Sequence, residues 1–102
     1  MFESNSRYIT SGVQQEIPLV FQLFMWSCIE TLKEQGKELD YLQVFELTGK
    51  GGEDGFLQRI EHRQEVPEYR KTYVVQCREP ITAKIFVIDD GAYSTMLLAE
   101  EY

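Results

Sequence analysis

The side chains in this chain that could do chemistry are few and scattered. His62 is its one histidine, and Cys28 and Cys77 are its two thiols. A nucleophilic dyad needs a thiol and an imidazole within hydrogen-bond reach. Here the pair would be built from residues tens of positions apart, and no local motif brings them together. The cysteines form no CxxC or CxxH spacing, so zinc-binding and thiol-redox motifs are absent, and both read as buried thiols of a reducing compartment. His62 lies in an alternating segment between Glu61 and Arg63, which predicts a solvent-facing or end-of-strand position. Asp89, Asp90, Glu100 and Glu101 are the other candidates. Carboxylates can ligate a hard cation, but such sites gather more oxygens in a defined loop pattern. Asp90-Gly91 is explained by a tight turn without a metal. Nucleophile elbows, HExxH and dinucleotide glycine fingerprints are missing. The expectation is therefore a non-enzymatic protein with no catalytic residues, cofactor or metal.

The totals point towards partners. The 102 residues predict one domain over 1–102, with 43% apolar and 13% aromatic residues to fill a core. The net charge of −7 disfavours direct binding to nucleic acid or anionic membrane, both of which need positive charge facing phosphate. It permits a basic protein partner. It also keeps a protein soluble without further purpose. The charge is uneven: residues 59–78 carry five basic and three acidic groups, and the remainder is strongly acidic. No apolar run reaches membrane-spanning length and no leader opens the chain, so a cytoplasmic location is expected.

The positioning elements follow from the pattern. Residues 1–6 read as loose, and 7–10 as a short edge strand. A helix is predicted over about 16–35, with Pro18 in its first turn and Gly36 at its stop. Helical spacing assigns Ile17, Val20, Phe21, Phe24, Cys28 and Leu32 to the core. Leu19, Leu23 and Trp26 form a second stripe. Either the N-terminal strand or the tail covers it, or it is a partner or dimer contact centred on Trp26, a residue type enriched at binding hot spots. Residues 41–47 read as a central strand, apolar on both faces. Gly49 to Gly55 holds four glycines in seven positions and reads as a flexible hairpin loop; the phosphate-loop spacing is missing. Residues 56–63 and 69–77 alternate as strands. Two apolar runs, 85–88 and 95–99, flank Asp89-Asp90-Gly91 as a closing hairpin with acid at both ends. The predicted fold is α+β: one amphipathic helix packed on a mainly antiparallel sheet of five or six strands.

The chain resembles an uncharacterised-domain family of small acidic proteins from Gram-positive bacteria and their mobile elements. The likeness rests on Arg7-Tyr8-Ile9-Thr10, Gly12-Val13, Ile17-Pro18, Trp26 and the run Leu39 to Leu47. It continues through His62-Arg63-Gln64-Glu65 and Pro67-Glu68-Tyr69. It is strongest in Ala83 to Gly91 and Tyr93 to Tyr102, and it skips only the glycine-rich loop. The resemblance implies no catalytic residues. The mobile-element setting it implies suggests an inhibitor of a nucleic-acid-handling defence enzyme, of the anti-CRISPR kind. The expected function is thus a protein-binding module, with candidate contacts Leu19, Leu23, Trp26, Asp89, Asp90, Glu100 and Glu101. The alternatives are a small enzyme or metabolite sensor, with His62, Tyr41, Tyr69 and Tyr73 lining a pocket, and a plain homodimer.

Overall fold

A computed structural model describes residues 1–52 and 55–102. One long helix and one short one pack on a six-stranded, mostly antiparallel sheet, an α+β fold. The strands are β1 (Arg7–Ile9), β2 (Leu42–Gly52), β3 (Gly55–Gln64), β4 (Tyr69–Gln76), β5 (Ala83–Asp89) and β6 (Ser94–Leu98). Their order across the sheet is β1-β6-β5-β2-β3-β4. β2 is central, as its apolar faces predict, and β1 closes one edge by pairing parallel to β6.

The predicted single helix is two. α1 spans Ser11–Glu16 and α2 spans Leu19–Glu34. Pro18 is the N-cap of α2 in an extended backbone (φ −55°, ψ 144°), so the chain turns there instead of running through. Thr10 caps α1 with its hydroxyl accepting from the Val13 N–H.

α2 lies on the sheet face formed by Phe45, Leu47, Ile60, Ile85, Val87 and Met96, all buried. The helix face that meets them is Phe21, Met25, Cys28, Ile29 and Leu32. Val20 is not part of it, contrary to the expectation from spacing: it stands 67% exposed. Once Pro18 starts the helix, the stripe centres on Met25 and Ile29, and Val20 rotates outward.

Three further expectations are corrected. The N-terminal residues are not loose, because Phe2 is fully buried. Its N–H donates to Asp89 Oδ2 at 2.6 Å, and its carbonyl accepts from Arg7 Nη2 at 2.9 Å. The glycines at 49, 51 and 52 belong to β2, not to a loop, since pairing with β3 runs on to Gly52↔Gly55. Pro80 covers Gly49, where a Cβ would lie 3.0 Å from the proline ring. Glu53 and Asp54, the rest of the predicted loop, lie outside the described residues. Finally, His62 is fully buried rather than exposed.

Buried amides fasten the connections to the core face of the sheet. Gln64 Nε2 donates to the carbonyls of Glu38 and Pro67 at 3.0 and 2.8 Å. Gln58 exchanges two hydrogen bonds with the backbone of Ile81. Each satisfies loop groups that the sheet ladder does not reach.

Candidate protein-docking surface

The outward face at the start of α2 carries three aliphatic side chains with no cover. Leu19 is 66% exposed, Val20 67% and Leu23 59%. Their spacing of one, three and four puts them side by side on one turn of helix. Beside Val20 opens a mainly apolar cleft of about 410 Å³, lined by Pro18, Val20, Phe21, Pro80 and Ile81 and bordered by the charged Arg78 and Glu79. Pro18 starts α2 so that Phe21 and Gln22 of its first turns are buried while Leu19, Val20 and Leu23 face outward.

Trp26 does not share that exposure. It sits on the flank of α2 towards β1, half-buried against the core, with the Arg7 guanidinium 4.8 Å above its ring. Arg7 is held in place by an ion pair with Glu30. The N-terminal strand therefore covers Trp26 and leaves Leu19 and Leu23 open. The predicted stripe is split, and its uncovered part is Leu19–Val20–Leu23.

The four acids also separate. Asp89 and Asp90 end β5, and Glu100 and Glu101 follow β6, at opposite ends of the ribbon. Three of them hold backbone. Asp89 accepts from Phe2 and Gly91 N–H groups. Asp90 accepts from the Tyr93 and Ala92 N–H groups, which keep its carboxyl below the usual range. They fix the turn, whose Gly91 takes φ +99°. Glu101 accepts from the Thr10 hydroxyl at 2.7 Å and the Leu98 N–H at 2.8 Å, and both bonds lower its pKa. Glu100 is exposed and makes no hydrogen bond or ion pair among the described residues. Among those residues no group of three or more potential metal ligands is assembled.

His62 lies inside the sheet–helix core. Its ring stacks on Phe45, with centroids 4.4 Å apart, and meets the edge of Tyr69 at 5.5 Å. Nε2 stands 2.6 Å from Gln43 Oε1. The Gln43 amide nitrogen is donated to Asp40 O and Gln64 Oε1, so its oxygen is the acceptor and Nε2 carries the proton. Nδ1 is buried without a partner among the described residues. Burial pushes the pKa down to about 4, so the ring is neutral. Alternation along β3 holds, and the face that carries His62 is the one that meets the helix. The local signal that could have shown it is Ile60, two positions away and on the same face.

A second polar cluster sits between α2 and β4. The buried Cys28 thiol, Tyr73 and Tyr69 lie next to one another there. Burial pushes the thiol up to about 11 and raises both phenols, opposite to what a nucleophile requires. Tyr69 also meets the His62 ring, so His62, Cys28, Tyr69 and Tyr73 form one packed group, whereas Tyr41 is exposed outside it.

On the other sheet face, Glu61 binds Arg63 at 2.9 Å and Arg59 at 3.3 Å, and Arg63 also reaches Glu46 at 3.3 Å. Burial alone would raise the Glu61 carboxyl, but these arginines outweigh it and lower its pKa. Among the described residues, no helix is long and apolar enough to cross a membrane.

No curated protein matches this chain. A solved structure described as a protein of unknown function from Enterococcus faecalis is similar, with 27% identity, 100% of this chain and 98% of that chain covered, and a TM-score of 0.78. The family model described as "Staphylococcal protein of unknown function (DUF960)" matches residues 6–101, and since that is nearly the whole sequence, the chain belongs to that family.

Proposed function

We propose that this protein is a non-enzymatic protein-binding module that docks through the first turns of α2. The observation that carries the reading is the uncovered Leu19–Val20–Leu23 patch beside the apolar cleft at Pro18 and Pro80. Adjacent exposed aliphatic side chains next to a groove are the form a helix-face contact takes. The burial of His62 and the raised Cys28 thiol support a binding rather than a chemical role for the core. A sharper form makes the partner a basic, nucleic-acid-handling defence enzyme, inhibited by a mobile-element product. The net charge of −7 supports that form.

The test is capture of partners from native cell extract with the tagged protein and with a Leu19→Asp/Leu23→Asp variant. A protein retained by the wild type and lost by the folded variant is expected. Retention unchanged by the variant refutes the helix contact. Release at high salt, together with weakening by Glu100→Lys, is the outcome that the basic-enzyme form requires. Glu100 suits this better than its three neighbours, whose carboxylates hold the backbone. A dimer that dissociates on Leu23→Asp, with no other protein retained, identifies the partner as a second copy.

A further inference from the structure

The two edges of the sheet are unequal. β1 is three residues long, whereas β4 offers eight, Tyr69–Gln76, with one strand neighbour only. β4 pairs with β3 one-to-one from Gln64↔Tyr69 to Leu57↔Gln76, without a bulge. It contains no proline. Bulges, prolines, short length and charge are the usual protections of an edge; β4 lacks the first three and carries only the charge of Arg70 and Lys71.

The groups at this edge can be assigned. The Cys77 N–H donates to the Phe56 carbonyl at 3.1 Å, towards β3. Backbone groups alternate along an antiparallel strand, so those of Val75, Tyr73, Lys71 and Tyr69 also face β3. The N–H and C=O groups of Arg70, Thr72, Val74 and Gln76 therefore face outward. Four residues of unpaired ladder are available to an added strand.

The charge beside the ladder selects the occupant. β4 holds Arg70 and Lys71 and no acid, in a protein of net charge −7. The neighbouring Arg59 and Arg63 are neutralised by Glu61 and Glu46. Among the described residues Arg70 and Lys71 make no ion pair, although Arg70 helps to hold the Glu61 carboxyl low and Lys71 stands 5.1 Å from the Tyr73 ring centre. A second copy fits poorly, since another β4 brings no carboxylate to either residue. An extended acidic strand fits both features.

We propose that the free edge of β4 binds an extended acidic segment of a partner protein by strand addition. The segment places carboxylates beside Arg70 and Lys71, on opposite faces of the sheet, and β-branched side chains beside Val74 and Val75.

The experiment selects binders to the full-length protein from a displayed library of random decapeptides. Enriched sequences rich in Asp or Glu alternating with Val, Ile or Thr are expected. Each is then titrated against two variants. Thr72→Pro removes one outward N–H while leaving the β3 pairing, which uses the other side of the strand. Arg70→Glu/Lys71→Glu removes the charge without touching the backbone. Affinity should fall about tenfold or more with either variant. Leu23→Asp should leave it unchanged, which separates this edge from the helix patch. Amide exchange at Thr72 and Val74 should slow on binding. No enrichment, enrichment of non-acidic sequences, or binding that survives both edge variants overturns the proposal. Dimerisation through β4 without peptide also overturns it.

Discussion

His62 makes the acid stability of this protein a quantitative prediction. The ring is fully buried, neutral and hydrogen-bonded through Nε2 alone, and its pKa is lowered to about 4 from the ordinary 6.5. A proton on Nδ1 would place a charge against Phe45 with no acceptor, so the folded state resists it. The unfolded chain takes up that proton near pH 6.5. Because the unfolded state binds more protons below that pH, stability is complete above it and declines as pH falls towards 4. Linkage gives a loss of about 2 kcal/mol between pH 8 and pH 5, and about 3 kcal/mol once pH reaches 4. The assay is urea unfolding at pH 8 and pH 5 of the wild type and of His62→Gln, whose amide can still donate to Gln43. Whatever the substitution costs at pH 8, the wild type should lose about 2 kcal/mol more than the variant on acidification. Carboxylate titration is common to both proteins and cancels in the difference. As the chain has one histidine, its imidazole signal in NMR gives an independent reading. Equal pH slopes in the two proteins, or a folded-state imidazole titrating near 6.5, refute the reasoning.

Two further outcomes follow from the termini. Phe2→Ala should cost about 3 kcal/mol or more in unfolding measurements, because it empties a fully buried site that the N-terminal residues were expected to leave unfilled. A cost of a few tenths would mean that the N-terminus is not docked. In Gly12→Ala, the new methyl would stand 2.7 Å from Glu101 Oε2 and push the carboxylate off Thr10 and Leu98. Faster hydrogen exchange at the Leu98 amide, with the β3 amides unchanged, is expected; an unaltered Leu98 would refute the contact.

Much of this protein is legible in its sequence, because local patterns report local physics. Alternation along 56–63 and 69–77 marks strands, since side-chain period two leaves no other regular structure. The apolar run 41–47 marks the centre of the sheet, because a strand with neighbours on both sides is sheltered even on the face that no helix covers, as at Val44. Asp90-Gly91 marks the hairpin, because the backbone there needs a positive φ. The family resemblance is likewise carried by residues in order, and the match over 6–101 agrees with its coarser part, an uncharacterised family of Gram-positive bacteria. What the sequence left open are relations between segments distant in the chain. Alternation states that His62 and Arg63 lie on opposite faces, but only the packing of α2 decides which face is dry. Helical spacing groups Trp26 with Leu23, but only the return of Arg7 beside β6 covers one and leaves the other open. Asp89 reads as a turn residue; that it also anchors Phe2 depends on a contact across 87 positions. The free ladder of β4 is a property of the sheet order alone, since a strand becomes an edge only by what fails to pair with it. Short-range sterics and periodicity are written in the chain, whereas burial, exposure and the edges of a sheet arise only when separate segments meet.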